Sequence, residues 1–239
     1  MEYLGSKAAS GASQQIIALM PPHDTYIEAY LGTGAVLARK PPSLRTIGIE
    51  RDDLMIAHAR TQFPDVQLEH GDALAYLSQF DYAAAGRTLI YADPPYMKST
   101  RTSSSRYRHD YEHGDHVDML NILVQASHAG ALVMLSGYPN ELYDSTLQGW
   151  YTHTFQSMTR GGVRTEKLWM SYKPEAAYWA SFAGKDYMER QRIKRKAERW
   201  AARYSALPPA ERLAVLAAML DMDIHLPVSP VQQQSEEKC

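Results

Sequence analysis

The sequence contains one cysteine in 239 residues, and that cysteine, Cys239, is the final residue. A single cysteine excludes a disulfide framework within the chain and any metal site built from several cysteines. A cysteine at the end of a polar tail is also a poor candidate for a catalytic nucleophile, since such thiols need a partner that activates them. The chemistry of this chain therefore has to come from other side chains.

Other common features are also missing. No apolar stretch approaches membrane-spanning length, and the first residues lack the basic-then-apolar pattern of an export signal, so we expect a cytoplasmic protein with no membrane partner. The nine histidines do not show the paired spacing of a zinc site, and no metal is expected. A net charge of −2 does not by itself suggest a nucleic-acid partner. The hydrophobic content of 45% is typical of a soluble globular protein.

The most informative segment follows a short apolar run. Residues 88–92 predict a buried strand, and Asp93-Pro94-Pro95-Tyr96 comes directly after it. Asp93 supplies an anionic acceptor. Because Pro95 has no backbone N–H, the carbonyl of Pro94 is free to point outward, and Tyr96 offers a flat ring. Two acceptors beside a ring suit a planar group that carries an NH2, such as adenine. The alternative is a proline-rich turn that closes the strand.

Three further strand–turn units precede this segment. Residues 25–30 predict a strand that leads into the turn Leu31-Gly32-Thr33-Gly34 and a helix start at 35–39. A second strand at 46–49 ends at Glu50, and a third at 66–70 is followed by Asp72 and Ala73.

Each polar residue in these units follows a predicted strand, and open α/β sheets bind ligands at the carboxyl ends of their strands. Glu50 could accept from a ribose diol, and Asp72 from an adenine amino group. The plainer alternatives are an ordinary strand-to-helix turn at Gly32-Thr33-Gly34 and a surface acid at Glu50.

In this order the motifs resemble those of Dam-like DNA adenine-N6 methyltransferases. The resemblance covers about residues 1 to 172 and is carried by these segments: Tyr3-Leu4-Gly5-Ser6-Lys7, Glu28-Ala29-Tyr30-Leu31-Gly32-Thr33-Gly34-Ala35, Gly71-Asp72, Asp93-Pro94-Pro95-Tyr96, Met134-Leu135-Ser136-Gly137-Tyr138 and Arg164-Thr165-Glu166-Lys167-Leu168-Trp169-Met170. The segment at 93–96 is the most specific of them.

The resemblance implies a Rossmann-like α/β fold with a mostly parallel central sheet flanked by helices, and a C-terminal helical extension. It implies S-adenosylmethionine as cofactor, with catalysis by Asp93, Pro94, Pro95 and Tyr96 on a flipped-out adenine. The residues implied in cofactor binding are Tyr3, Gly5, Lys7, Glu28, Ala29, Leu31, Gly32, Thr33, Gly34, Glu50, Asp72 and Ala73. The expected divisions are a catalytic domain at 1–173, a basic helical extension at 174–225 and a disordered tail at 226–239.

Two departures from the family pattern matter. Ala29 stands where proline is frequent in the glycine motif, which leaves the backbone turn intact. Larger relatives carry a target-recognition insert before the catalytic segment, but here only about twenty residues separate Asp72 from Asp93, and a helix and a strand use most of them. Sequence recognition must therefore come from elsewhere.

Three segments are candidates for contact with double-stranded DNA. The polar stretch 97–111 predicts a loop beside the target pocket, although it could also be a merely solvated loop. Residues 160–164 suggest a second, hairpin-like contact. The segment from 185 to 203 has eight Lys or Arg against three Asp or Glu and predicts a basic helix. The residues proposed for these contacts are Lys98, Arg101, Arg106, Tyr107, Arg108, Arg160, Arg164, Lys194 and Arg195.

A last helix is predicted from Pro208-Pro209, with Leu213, Leu216 and Leu220 on one side. That side could pack on the catalytic domain or on a second copy of the chain, so a homodimer is one hypothesis.

The predicted function is methylation of the N6 amino group of adenine in DNA, which agrees with the lack of a thiolate for methylating a ring carbon of cytosine. Three alternatives stay open: a methyltransferase acting on RNA adenine, one acting on the N4 amino group of cytosine, and a catalytically silent DNA-binding regulator. In related enzymes serine often replaces the aspartate when cytosine is the target, so Asp93 favours adenine.

Overall fold

A computed structural model describes residues 7, 11–97, 100, 110–159, 162–175, 178–184 and 186–224. The strands are β1 (Thr25–Glu28), β2 (Arg45–Glu50), β3 (Gln67–His70), β4 (Thr88–Ala92), β5 (Leu132–Gly137), β6 (Tyr151–Thr159) and β7 (Gly162–Met170). The helices are α1 (Ala12–Ala18), α2 (Asp53–Gln62), α3 (Ala73–Gln79), α4 (His113–His128), α5 (Glu141–Thr146), α6 (Tyr187–Ser205) and α7 (Pro209–Ile224).

The strands form one seven-stranded sheet in the order β3-β2-β1-β4-β5-β7-β6. β1 to β5 run parallel, whereas β7 is antiparallel to both β5 and β6. The chain builds outward from β1 to β3 and then returns to place β4 on the other side of β1. The carboxyl ends of β1 and β4 therefore flank a topological switch point, where open α/β sheets bind their ligands. This arrangement confirms the predicted Rossmann-like α/β fold with a mostly parallel sheet.

Buried side chains cover both faces of the sheet. Ile90 of β4 packs in a cluster with Leu120 of α4, while the preceding residue, Leu89, packs in a second cluster with Ile16 of α1. All five residues of β4 are buried. Because a central parallel strand is covered on both faces, it consists of a continuous apolar run rather than an alternating one. This explains why the strand before Asp93 could be predicted residue by residue.

The helix expected at 35–39 is not formed, and the segment is a series of turns. The amide of Ala38 donates to Gly34 O at 2.9 Å, and the amide of Arg39 donates to Val36 O at 3.0 Å. Pro41 and Pro42 follow at once, and the residue before a proline is disfavoured in helical conformation. The segment therefore has too few residues to propagate a helix beyond its first turn.

The chain divides into two compact units, with the boundary between residues 185 and 186. In the second unit α6 begins after Asp186, whose side chain accepts from the amide of Glu189 at 2.8 Å, and α7 begins at Pro209 as predicted. No residue of α6 is buried. The expected domain limits at 173 and 225 stay predictions, and the tail at 226–239 lies outside the described residues. None of the helices in the described part of the chain is both long and apolar enough to cross a membrane.

Candidate active site

A cavity of about 890 Å³, a volume that includes its open mouth, lies at the carboxyl ends of β1, β2 and β4. Of the residues predicted for cofactor binding and catalysis, those that line it are Lys7, Glu28, Ala29, Leu31, Gly32, Thr33, Glu50, Asp72, Ala73, Asp93, Pro94, Pro95 and Tyr96. The fold thus brings together residues from five separate segments of the sequence.

Gly34 was predicted to bind the cofactor but is not among the lining residues. Its backbone has a φ of +65°, and a Cβ atom at this position would lie 2.5 Å from the ring of Phe63. Glycine is thus required here by the backbone conformation and by the close approach of the Phe63 side chain, which directly follows α2. Tyr3 and Gly5, also predicted to bind the cofactor, lie outside the described residues, as do Lys98, Arg101, Arg106, Tyr107, Arg108 and Arg160.

Glu28 ends β1 at the switch point and is 3% exposed. The hydroxyl of Tyr26 donates to its Oε2 atom at 2.8 Å. Burial raises the pKa of Glu28 to about 8, and the nearby carboxylate of Asp93 contributes to that rise. Glu28 is therefore largely protonated at neutral pH and becomes an anion only when a positive charge approaches or the pH rises.

Glu50 fixes the glycine turn from the end of β2. Its Oε2 atom accepts from the amide of Gly32 at 2.7 Å, and its Oε1 atom accepts from the amides of Arg51 and Asp52 at 2.8 Å each. A carboxylate has about four acceptor positions. Glu50 therefore shapes the cavity wall and has one position left for a ligand hydroxyl.

Asp72 is the N-cap of α3. Its Oδ1 atom accepts from the amides of Leu74 at 2.9 Å and Ala75 at 3.0 Å. These bonds use one of the two carboxylate oxygens and fix the side chain at the cavity wall. Oδ2 takes no part in the capping bonds, so Asp72 can cap the helix and still accept from a ligand.

Two tyrosines that sequence reasoning did not select line the cavity beside Asp72. The hydroxyls of Tyr30 and Tyr111 lie 3.2 Å apart, and the two rings meet edge to face at an interplanar angle of 81°. Together they give this end of the cavity an aromatic wall. Tyr111 is the last residue of the polar stretch 97–111 and precedes α4, and its position outside the other motifs concealed its place in the site.

Asp93 forms an ion pair with Lys7. The Nζ atom of Lys7 lies 2.8 Å from both Oδ1 and Oδ2 of Asp93, and it also contacts the hydroxyl of Tyr96. Burial alone would lower the pKa of Lys7, but the carboxylates of Asp93 and Glu166 outweigh burial and raise it above its ordinary value. Burial raises the pKa of Asp93, and the ammonium of Lys7 offsets part of that rise. Lys7 is therefore a charged residue in the wall of the cavity.

Glu166, on β7, is a second carboxylate beside Lys7 that sequence reasoning assigned no role. Its Oε2 atom lies 3.4 Å from Nζ of Lys7 and accepts from the hydroxyl of Tyr96 at 3.2 Å. Its Oε1 atom accepts from the hydroxyl of Ser157 at 2.7 Å. The sequence offered only an indirect indication of a role for Glu166, because this residue lies in the segment 164–170, one of those that carry the family resemblance.

Tyr96 and Tyr91 line the cavity next to Asp93. The ring of Tyr96 lies 4.4 Å from that of Tyr138, with an interplanar angle of 60°, and Tyr96 is 7% exposed. Tyr91, at the penultimate position of β4, is buried and lines the cavity, and its hydroxyl has no hydrogen-bond partner among the residues that the structure describes.

Three of the residues predicted to contact DNA lie in the described part of the chain. Arg164 is on β7 and pairs with Ser157 across the β6–β7 hairpin, so the predicted hairpin at this point is present. Lys194 and Arg195 are exposed on α6, and Nζ of Lys194 lies 3.9 Å from Glu198. Their contact with DNA stays a prediction. Within the described ranges, no group of three or more His, Cys, Asp or Glu side chains could hold a metal ion.

No protein-family model matches the sequence, and no curated protein matches it either. Among solved structures, the 23S rRNA methyltransferase ErmE is 12% identical, covers 81% of this chain and 78% of its own, and has a TM-score of 0.47. The O-methyltransferase TomG from Streptomyces achromogenes, solved with SAM, is 15% identical over 68% of this chain and 81% of its own, with a TM-score of 0.47. A dimethyladenosine transferase from Plasmodium falciparum is 15% identical over 66% of this chain and 60% of its own, with a TM-score of 0.43. All three TM-scores are below 0.5, so the fold assignment rests on the sheet order and the functional one on the side chains of the cavity.

Proposed function

We propose that the protein transfers a methyl group from S-adenosylmethionine to the N6 amino group of an adenine that is flipped out of DNA. One observation carries the proposal. Asp93, Pro94 and Tyr96, at the end of β4, line the same cavity as Glu50 and Asp72, at the ends of the second and third strand units. An acceptor pair for an amino group and acceptors for a nucleoside cofactor therefore share one space at the switch point.

The residues of the cavity fit the proposed cofactor. The remaining acceptor position of Glu50 suits a ribose hydroxyl, and the Oδ2 atom of Asp72 suits the amino group of a purine. Glu28 can become an anion when a positive charge approaches, because its pKa of about 8 lies close to neutrality. When bound, S-adenosylmethionine supplies an electrophilic methyl group on a positively charged sulfur.

The chemical task of the chain is to prepare the amine. The amino lone pair of adenine is delocalised into the ring, so the nitrogen is a weak nucleophile. Asp93 and the carbonyl of Pro94 would each accept one amino N–H, which draws the nitrogen toward tetrahedral geometry and directs its lone pair outward. A C–N bond forms as the S–CH3 bond breaks, and the nitrogen then loses one proton to solvent. No general base is needed.

A base inside a duplex cannot reach the cavity, so the proposal requires base flipping. Unstacking and unpairing a base cost a few kcal/mol, while stacking on an aromatic ring contributes about 1–3 kcal/mol. Tyr96, whose ring lies in the cavity wall next to Asp93, is the residue proposed to stack on the flipped base.

The polyanionic substrate is supported by charge placement. The exposed helix α6 carries Lys194 and Arg195 in a segment rich in basic residues, although the whole chain has a net charge of −2. Such a local excess of positive charge suits phosphate contacts without base specificity. We further propose that the polar stretch 97–111 and the β6–β7 hairpin contact the duplex near the target base.

Methyl transfer from an isotopically labelled donor to DNA, to RNA and to protein, measured in parallel, tests this proposal. Mass spectrometry of the digested nucleosides then identifies the modified atom. The expected product is N6-methyladenine in DNA. Label in RNA alone, or on the N4 amino group of cytosine, would replace the DNA adenine assignment with one of the alternatives, and no transfer to any of the three would reject the enzymatic assignment.

A further inference from the structure

The ion pair between Lys7 and Asp93 conflicts with the proposed role of Asp93. Both oxygens of the Asp93 carboxylate are 2.8 Å from Nζ of Lys7. An ammonium in this position occupies the side of the carboxylate on which it lies and competes for the acceptor that the target amine needs. Lys7 and the target amine are therefore alternative partners of Asp93.

A buried ammonium cannot simply leave its partner. Lys7 is 5% exposed, and an uncompensated charge at such a depth is strongly unfavourable. Displacement of Lys7 from Asp93 therefore needs a second anion close by. Glu166 provides one, because its Oε2 atom already lies 3.4 Å from Nζ of Lys7. A shift of the Lys7 ammonium by much less than the length of its side chain would bring Nζ within hydrogen-bond distance of Oε2 of Glu166.

We propose that Glu166 is a positioning residue that receives the ammonium of Lys7 when the target amine binds to Asp93. This inference rests on the proposed methyl transfer to an adenine amine. The exchange leaves the number of charges in the region unchanged, since one cation passes from one carboxylate to another. Asp93 is then freed as an acceptor at the moment when the amine arrives.

The surroundings of Glu166 suit this task. The hydroxyl of Ser157 holds its Oε1 atom at 2.7 Å, which orients the carboxylate and leaves Oε2 facing Lys7. The hydroxyl of Tyr96 contacts both Lys7 and Oε2 of Glu166, so it can follow the ammonium from one partner to the other. Ser157 and Glu166 lie on the antiparallel strands β6 and β7, whose ladder fixes the distance between them.

The first test is the variant Glu166→Gln, compared with the wild type in methyl transfer to DNA at saturating donor. Glutamine keeps the size of the side chain and its acceptor for Ser157 but removes the charge that would receive Lys7. The expected result is a kcat lower by about tenfold to a hundredfold, as for the loss of a hydrogen bond to a charged group, with donor affinity within twofold of the wild type. The matched control is Lys167→Met, which removes an ion pair with Asp144 from the next position of the same strand and should leave kcat unchanged.

A double-variant cycle separates transfer of the ammonium from a merely structural role. Without Lys7, Asp93 is already uncovered, so Lys7→Met combined with Glu166→Gln should be no slower than the slower single variant. The inference would be overturned if the reduction in kcat of the double variant equalled the product of the reductions of the two single variants. It would also be overturned if Glu166→Gln had the wild-type kcat. In both cases the proposed function would stand. A wild-type chain that transfers no methyl group to a nucleic acid would reject both.

Discussion

The ammonium of Lys7 lies 2.8 Å from both carboxylate oxygens of Asp93, although 86 positions separate the two residues in the sequence. This contact ties the amino-terminal motif to the carboxyl end of β4. It also means that Lys7, which the resemblance associates with the cofactor, touches the carboxylate that is proposed to act on the substrate. The two halves of the proposed reaction, donor binding and amine activation, are therefore linked through one side chain.

The ring of Tyr96 is expected to matter more for DNA binding than its hydroxyl. Tyr96→Ala removes the stacking surface, which is worth about 1–3 kcal/mol per base, so the KM for DNA should rise by about fivefold to a hundredfold. Tyr96→Phe keeps the ring and should change the KM by less than about threefold. Steady-state kinetics with varied DNA and saturating donor measure both values. Equal damage from the two substitutions would assign the effect to the hydroxyl instead.

The pKa of Glu28, about 8, predicts a pH-dependent stability. A buried acid with a raised pKa binds a proton in the folded state that it releases in the unfolded state, so stability falls as the pH rises from its ordinary pKa of 4.5 towards 8. Glu28→Gln removes this loss. The difference between variant and wild type should grow in favour of the variant by up to about 1.4 kcal/mol per pH unit across that window.

Urea unfolding at several pH values measures this difference. The control is Asp118→Asn, which removes an exposed carboxylate from α4. If the curves of Glu28→Gln and the wild type run parallel from pH about 5 to about 8, the assigned pKa of Glu28 is wrong.

Asp72 is expected to have two separable roles. Asp72→Ala removes the N-cap of α3 and should lower the free energy of unfolding by about 0.5–2 kcal/mol. Asp72→Asn keeps a capping oxygen and should leave stability close to that of the wild type. Both variants lose the acceptor proposed for the cofactor, so both should bind the methyl donor about tenfold more weakly in calorimetry. Wild-type donor affinity in Asp72→Asn would restrict Asp72 to helix capping.

Gly34 is predicted to be intolerant of a side chain for structural reasons alone. Gly34→Ala imposes a left-handed backbone on alanine, at a cost of about 1–2 kcal/mol, and brings its Cβ atom to 2.5 Å from the ring of Phe63, which adds about 1–3 kcal/mol. Gly71→Ala is the control, because a Cβ atom there meets nothing within 4 Å. Denaturant unfolding should show a large loss of stability for the first variant and a change within about 0.5 kcal/mol for the second.

The ends of the buried strands could be predicted well, because a strand that is buried on both faces has a continuous run of apolar residues in the sequence. β4 is covered on both faces, and its residues from Leu89 to Ala92 are buried and apolar, so the position of Asp93 at its end could be counted. Glu50 was found in the same way, because the last four residues of β2 are also buried, whereas Asp72 follows the edge strand β3, which has no buried residue. The helix at 35–39 was predicted from local propensity, and the two prolines that follow overrode it.

Contacts between distant segments were beyond reach of the sequence alone. Glu166 is an ordinary charged residue in an alternating strand, and its burial beside Lys7 arises only because β7 inserts between β5 and β6. Tyr111 likewise lines the cavity and belongs to the same buried cluster as Leu120 of α4. Such residues become visible when the sheet order is known, since the topology decides which motifs meet.

The most direct test of the central claim compares the wild type with Asp93→Asn in the transfer of a labelled methyl group to adenine in DNA, with nucleoside mass spectrometry as the readout. Asp144→Asn, which disrupts an ion pair on α5 with Lys167, is the control for loss of a carboxylate elsewhere. We predict N6-methyladenine from the wild type and the control, and a rate lower by about a hundredfold to a thousandfold in Asp93→Asn, as for loss of one precisely placed transition-state contact, with donor binding retained. N6-methyladenine formed at the wild-type rate by Asp93→Asn would contradict the account.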